Sequence, residues 1–487
     1  MLIRGCGIGR AMTQTDTFLA AAAQLLGPRG LTCDPDLLAP WLTDWRGRYT
    51  GAAMGLASPA DSAQLAQLMT LAHEHGVALV PQGGNSGMSG GATPDPSGTS
   101  LLISLRRMNT IGPIDLENRR VTCGAGVVLQ NLHEAAEAVG LRFPLTLGGK
   151  GSATVGGLIS TNAGGTQVLR HGNMRSQVLG LEAVLADGSI YSALTPLKKD
   201  NRGFDLKQLF IGSEGTLGIV TAATLKLEPA LADRRVIWAG VESIQAARAL
   251  LLHAEKAVGE ALEGFEVIPH PSLLAVFDYA PDMRSPLEGA HQWYALIEVV
   301  ADAAAAPTLG DRVEAMLADA FEAGLLQDAA IANSESQAEA FWGLRETVPM
   351  AERSKGPAKQ HDISVPVEKM PDFITDAIAK VEAAWPGTHA VAFGHLGDGN
   401  VHFHVISPQG SERAAWEAGD GKAISRFVHD LVTQWGGSLS AEHGIGQMKV
   451  AELQRLGDPT SLGLMRAVKA ALDPKGILNP GKLLPSA

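Results

Sequence analysis

The chain has 487 residues, 45% of them hydrophobic and 18% charged: too long for one compact core, and ordinary in composition for a globular protein. A formal net charge of −12, without any Lys/Arg-rich run, argues against nucleic-acid or anionic-membrane binding but leaves room for a local basic pocket. No apolar run approaches the roughly 20 residues of a membrane span. Three scattered cysteines (Cys6, Cys33, Cys123) with no C-x-x-C fit a reducing compartment, so a cytoplasmic protein is expected.

The opening MLIRGCGIGRAM lacks the apolar core of a signal peptide and reads as a loose extension. Ser58-Pro59-Ala60-Asp61 has the cap, proline and acid of a helix start, and predicts a helix to about His75, stopped by Gly76. VALVP (77–81) is a short buried strand that runs straight into QGGNSGMSGG. Strands LLISL (101–105) and RVTCGAG (120–126) precede a helix over 129–137. Within that helix His133-Glu134-Ala135-Ala136-Glu137 is HExxE rather than HExxH, and reads as a solvated helix face. A second glycine-rich run, GGKGSATVGGLISTNAGG (148–165), leads to two strands around the hairpin signal Asp187-Gly188. A third motif is IGSEGTLGIVTAATLKL (211–227).

From about Val236 the texture changes. Strands VIWAGVE, YALIEVV, ISVPV, HAVAFGH and VHFHVIS alternate with helices near 243–258, 308–323, 335–350 and 368–384, and a last helical pair spans 411–436. This predicts a second, α+β domain with a mainly antiparallel sheet. The tail DPKGILNPGKLLP (473–485) is too apolar for a free terminus and is expected to pack back on another domain.

Glycine is the one skewed count, 56 of 487, against an average of about 7%. Five of the nine residues 83–91 are glycine, directly after a buried strand. Glycine lets backbone N–H groups approach an anion closely, and a pyrophosphate is the obvious guest. There is no G-x-x-x-x-G-K-[ST], and no strand leads into G-x-G-x-x-G, so neither a Walker loop nor a Rossmann site is present.

PQGGNSGMSGG (81–91), VGGLISTNAGG (155–165) and GSEGTLGIVT (212–221) resemble, in order and spacing, the FAD-binding domain of the vanillyl-alcohol oxidase-like flavoproteins. The resemblance implies an α+β fold: a two-subdomain FAD-binding domain followed by an α+β substrate domain. The implied boundaries are 1–40 for an extension and helix, 41–230 for FAD, 231–437 for substrate, and 438–487 for the returning segment. It implies FAD contacts at Pro81, Gly83, Gly84, Asn85, Ser86 and Gly87 in the first loop. Further contacts are implied at Gly156, Gly157, Asn162 and Gly164 in the second, and at Glu214, Gly215 and Ile219 in the third. Several members attach the flavin through a histidine in the first loop. Asn85 stands in that neighbourhood, so noncovalent FAD is implied.

FGHLGDGNVHFHV (393–405) places His395, His402 and His404 around a Gly-Asp-Gly-Asn turn. Read alone, these are either a metal or catalytic site or ordinary strand residues. Asp398 suits the turn, and His402 and His404 share a strand face. This motif, SAEHGIGQMK (440–449) and ILNPGK (477–482) resemble the D-2-hydroxyacid dehydrogenases of the same superfamily, first the D-2-hydroxyglutarate dehydrogenases, with D-lactate and glycolate dehydrogenases nearby. The resemblance implies a divalent metal, Zn²⁺ by analogy, on His395, His402 and Glu442, donors that suit such an ion. It implies His443 as general base, Arg345 in FWGLRETV as the substrate-carboxylate arginine, and Asn479 as a further FAD residue.

The implied reaction is oxidation of a D-2-hydroxy acid, D-2-hydroxyglutarate foremost, by hydride transfer to flavin. D-lactate or glycolate oxidation and an oxygen-using flavin oxidase are the alternatives. An electron-transfer flavoprotein or a quinone is the implied acceptor, and a homodimer is compatible. Pro349, Gln360 (with Lys359 adjacent) and His404 depart from the hydroxyglutarate pattern. Gln360, Lys359 and His404 are expected at the substrate, whose second charge is the open point.

Overall fold

The computed structural model describes residues 13–485, so the reading of 1–12 as an extension lies outside the described residues. Strands Gly55–Ala57 and Leu79–Gln82 flank Leu101–Ser104 in a parallel arrangement, with Leu31–Thr32 antiparallel at one edge. The crossover helix Ser62–His75 starts later than Ser58. Asp61 is its cap, accepting from Gln64 N at 2.8 Å, and Gly76 stops it in the left-handed region at φ 66°. Leu79–Gln82 therefore delivers the chain directly into the glycine loop.

A second four-stranded, antiparallel sheet runs in the order Arg120–Gly124, Ile219–Lys226, Val178–Val184, Ile190–Ala193. One buried core runs through both sheets, from Leu65, Leu79 and Ile103 to Leu181 and Leu225. Ile477 and Leu478 of the tail belong to the same core. The tail is also stitched in: Leu79 N donates to Ile477 O at 2.7 Å, and Asn479 N donates to Leu79 O at 2.8 Å.

The other half is a seven-stranded antiparallel sheet, in the order Asp328–Ile331, Asp233–Val241, Trp293–Ala301, Leu262–Pro269, His389–His395, Asn400–Ile406, Ala358–Ser364. Its fourth strand, LEGFEVIP, does not stand out in the sequence because Glu263 and Glu266 interrupt the apolar run. The ISVPV strand expected at 363–367 lies at Ala358–Ser364, over a largely polar stretch. The helix expected at 335–350 continues through Pro349 to Ser354.

Strand side chains alternate between faces. On one face Ile237, Val267, Ile297, Ala392, Phe403 and Val405 pack against the helices Ile244–Val258, Ala306–Glu322 and Met370–Ala384. On the other, Trp238, Ile268, Tyr294, Leu296 and Phe393 meet Phe341, Trp342 and Leu344 of helix Glu335–Ser354. That second face changes from apolar to polar along the sheet, and the polar part is the site.

Candidate active site

The hairpin formed by His389–His395 and Asn400–Ile406 turns through Asp398, whose Oδ1 accepts from Asn400 N at 2.9 Å, and Gly399 at φ 81°. Across the ladder Glu266 pairs with His395, Phe393 with His402 and Val391 with His404; Asp362 pairs with His402 and Gln360 with His404. Directly paired residues share a face. Glu266, His395, His402, His404, Asp362 and Gln360 therefore stand side by side. Lys359 falls on the opposite face, next to Gly421 of helix Asp420–Gln434. Strand alternation thus puts it on the other face from Gln360 and His404.

Ligand atoms of His395, His402 and Glu442 lie within 4.8 Å of one another. His395 Nδ1 is 2.6 Å from Glu266 Oε1, which leaves Nε2 facing Glu442 Oε1 at 3.9 Å. A carboxylate behind the imidazole fixes the ring and its tautomer in metal-binding histidines. The donor set and this backing fit a divalent cation. Asp362, Glu442 and His443 also meet the distance requirement, but Asp362 is already committed. Its Oδ2 accepts from Glu442 N and His443 N, each at 2.9 Å, and its Oδ1 accepts from Asn400 Nδ2 at 2.9 Å.

Glu266 is 1% exposed. Its other oxygen accepts from Arg345 Nε at 2.8 Å. Burial pushes its pKa up, but Arg345 and His395 outweigh this and hold it well below the usual carboxylate range. Burial alone would depress His395, yet Glu266 raises it to about 9. His443 behaves oppositely. Its Nδ1 lies 3.4 Å from Asp362 Oδ2, but burial dominates and brings its pKa down to about 4. The His443 imidazole is thus neutral at pH 7 and able to accept a proton.

The loop carrying Glu442 and His443 is clamped to the other half of the molecule. Ser89 Oγ donates to the carbonyls of His443 and Gly444, each at 3.1 Å. Glu214 accepts from Ile445 N and Gly446 N, each at 2.7 Å. Asn479 Nδ2 donates to Gly91 O at 3.0 Å and Glu214 O at 2.7 Å. The side chains of Glu214 and Asn479, expected at the cofactor, therefore serve as links between loops.

The glycine motifs fit a dinucleotide. From Gly84 to Gly91, no backbone N–H is bonded to an acceptor among the described residues, a row of donors suited to an anion. A Cβ on Gly84 would lie 1.7 Å from Ser152 O, and one on Gly83 2.4 Å from Thr154 Oγ1; Gly87 is open. Asn85 is left-handed at φ 51° and its Nδ2 donates to Thr43 O at 2.8 Å. Ser86 lies against Gly149. In the second run Gly156 packs on Ala125, Gly157 lies near Thr154, and Asn162 caps the helix Val155–Thr161 at φ 50°. Gly164 adjoins the metal set: a Cβ there would lie 3.5 Å from Glu442 Oε1. Gly215, at φ 71°, closes on the ring of Pro81, and buried Ile219 opens its strand.

Further along the sheet, His404 Nδ1 makes a very short contact with Glu352 Oε2, and Ser272 Oγ donates to Glu352 Oε1 at 2.5 Å. Gln360 Nε2 donates to Pro349 O at 3.4 Å. Sequence reasoning missed Glu266, Glu352 and the role of Asp362. The available signal was acidic residues inside strand and helix patterns, where charge is costly unless paired.

Comparison with known proteins identifies the family. Residues 53–193 match the family model described as "FAD binding domain", and 231–483 match "FAD linked oxidases, C-terminal domain". The protein is an FAD-dependent oxidoreductase of vanillyl-alcohol oxidase-type fold. Among solved structures, p-cresol methylhydroxylase with substrate bound superposes with a TM-score of 0.75, at 15% identity, over 96% of each chain. A probable mitochondrial D-2-hydroxyglutarate dehydrogenase of Oryza sativa subsp. japonica is 37% identical over 464 residues, 95% of this chain and 81% of that one. The mitochondrial D-2-hydroxyglutarate dehydrogenase of Bos taurus is 36% identical over 472 residues, 96% of this chain and 83% of that one. The chain belongs to the D-2-hydroxyglutarate dehydrogenase family of FAD-linked oxidases. Both relatives are named as mitochondrial, which gives no support to the cytoplasmic expectation. Among the described residues no helix is long and apolar enough to cross a membrane.

Proposed function

We propose that this protein oxidises a D-2-hydroxy acid, D-2-hydroxyglutarate foremost, to the 2-oxo acid. The observation that carries the reading is Glu442: it groups with His395 and His402 on one side and with Asp362 and His443 on the other, and it lies beside Gly164 of the second glycine-rich loop. FAD, held by the three glycine motifs, supplies a two-electron acceptor for the hydride from the substrate carbon. A divalent cation on His395, His402 and Glu442, Zn²⁺ by resemblance, would supply Lewis-acid polarisation of the substrate hydroxyl.

The remaining work falls to the chain itself. His443 accepts the hydroxyl proton. Asp362 holds its backbone and faces Nδ1, which leaves Nε2 as the acceptor. Arg345 binds the carboxylate through nitrogens other than Nε, which Glu266 engages. Glu266 thereby fixes both a metal-binding histidine and the substrate arginine. The relatives' names support D-2-hydroxyglutarate, and electrons would then leave to an electron-transfer flavoprotein or a quinone.

The test is anaerobic mixing of the FAD-loaded protein with D-2-hydroxyglutarate, D-lactate, D-malate and glycolate, with and without a chelator. Bleaching of the flavin by D-2-hydroxyglutarate, slowed by chelator, is expected. Bleaching by none of the four acids would remove the reading, and bleaching indifferent to chelator would remove the metal.

A further inference from the structure

The segment between Thr43 and Thr50 has no part in the chemistry above, yet it is built as a tied finger. Thr43 and Thr50 pair across its base, with their hydroxyls 3.0 Å apart. Asp44 N donates to Tyr49 O at 3.0 Å, Tyr49 N donates to Asp44 Oδ1 at 2.6 Å, and Gly47 turns the tip at φ 66°. The bond from Asn85 to Thr43 O fastens the finger to the glycine loop.

The tip carries Arg46 and Arg48 to the loop that bears His443. Arg48 Nη1 lies 3.8 Å from Met448 Sδ, and both arginines are near enough for their charge to act on His443. Arg353, at the end of the helix that carries Arg345, is close enough to repel Arg46. Arg46 Nε is buried with no hydrogen-bond partner among the described residues. Burial first, then Arg48 and Arg353, bring the Arg46 guanidinium down to about 10, only partly offset by Asp44. Like charges gathered beside a site are relieved by a bound anion. Among the described residues, the polar sheet face beyond the metal set shows no free cation: His404 is tied to Glu352 and Gln360 is neutral, while Lys359, on the opposite face, is near enough to Arg48 for their charges to act on each other.

We propose that Arg46 and Arg48 form a second anion subsite that takes the distal carboxylate of a dicarboxylic 2-hydroxy acid. This rests on the function proposed above and assigns the second charge of the substrate to the finger, not to the sheet.

The experiment uses the FAD-loaded full chain and the variants Arg48→Gln, Arg46→Gln/Arg48→Gln and Arg46→Lys/Arg48→Lys. Exposed Arg48 can change without threatening the fold. The ratio of kcat/KM for D-2-hydroxyglutarate to that for D-lactate should fall about tenfold or more in the double Gln variant, the scale of lost charged hydrogen bonds. It should fall less in Arg48→Gln and recover in part in the Lys variant. Independently of turnover, glutarate should raise the Tm of the wild-type holoprotein more than butyrate does, and the double Gln variant should lose that difference. An unchanged ratio, an equal loss for both substrates, or no glutarate preference in the wild type would each overturn the subsite. If no hydroxy acid reduces the flavin, the proposed function fails, while the glutarate comparison still decides the finger.

Discussion

The cofactor loops and the sheet site are built on opposite plans. The loops work through backbone. From Gly84 to Gly91 the N–H groups are bonded to no acceptor among the described residues, and four of the eight residues have no side chain. The sheet site works through side chains gathered from five separate segments, at 266, 345, 362, 395–402 and 442–443, with Glu266, Arg345, Asp362 and His395 buried and His402, Glu442 and His443 half-buried. Backbone sites are written in contiguous motifs because the conformation itself is the ligand-binding feature. Side-chain sites are assembled by topology, and their supporting groups need carry no local signature. The two plans should also fail separately, one by losing cofactor and the other by losing chemistry.

The largest break is expected at the proton acceptor. Replacing His443 with Asn should slow flavin reduction by roughly 10²–10⁴-fold, the usual range for general acid–base catalysis, in anaerobic stopped-flow mixing. FAD content, read from the visible spectrum against protein, should stay at the wild-type value. Near-normal reduction would remove the role of His443; loss of FAD would join the two regions that the comparison separates.

Next comes Glu266→Gln. The amide keeps the shape but removes the charge behind His395 and Arg345. Metal affinity should weaken roughly 10–100-fold, the usual effect of losing such a backing group, measured by competition with a chromogenic chelator. FAD content should again hold. Unchanged metal affinity would make Glu266 a partner of Arg345 alone.

A smaller loss, and of the opposite kind, is expected from Gly84→Ala. The added Cβ would meet Ser152 O at 1.7 Å, so backbone must move. Overpacking of this sort costs about 1–3 kcal/mol, which predicts FAD binding weaker by about tenfold with metal affinity kept. Fluorescence of released FAD on dilution checks it. Wild-type retention of FAD would mean that the loop shape is not what binds.

The same contrast explains what could be read in the sequence. The glycine motifs, the helix Ser62–His75 and the helix Leu129–Glu137 follow from local spacing, and the His395–His402 hairpin follows from its Gly-Asp-Gly-Asn turn. Glu442 came only from resemblance, because nothing local ties residue 442 to residue 395. Glu266 was invisible for a further reason: its strand looks too acidic to be central, and only the burial of Arg345 and His395 beside it makes the charge tolerable. Lys359 and Gln360 are neighbours in sequence, but strand alternation sends them to opposite faces, which local spacing alone does not show.

The smallest effect on chemistry, with a large one on stability, should come from Glu263. It lies at a bulge in the same strand as Glu266 but turns to the cofactor half, where Arg142 Nη2 donates to it at 2.7 Å and Arg170 Nη1 at 2.9 Å. Burial alone would raise its pKa, yet Arg142, His171 and Arg170 together hold it well below the usual range. A carboxyl depressed in the folded state stabilises above its unfolded value, about 4.3, and that stabilisation fades as pH falls toward the folded value. Glu263→Gln should therefore lose about 3–5 kcal/mol at pH 7, the scale of a broken buried ion pair. Its Tm should lie well below that of the wild type at pH 7, and the gap should narrow as pH drops from about 5 to about 3. Flavin reduction at 25 °C should change little, because none of these groups touches the sheet site. A gap that is the same at pH 7 and pH 3 would mean that the ion pairs do not join the halves. A large fall in reduction rate would mean that the backbone region and the side-chain region depend on each other through this strand.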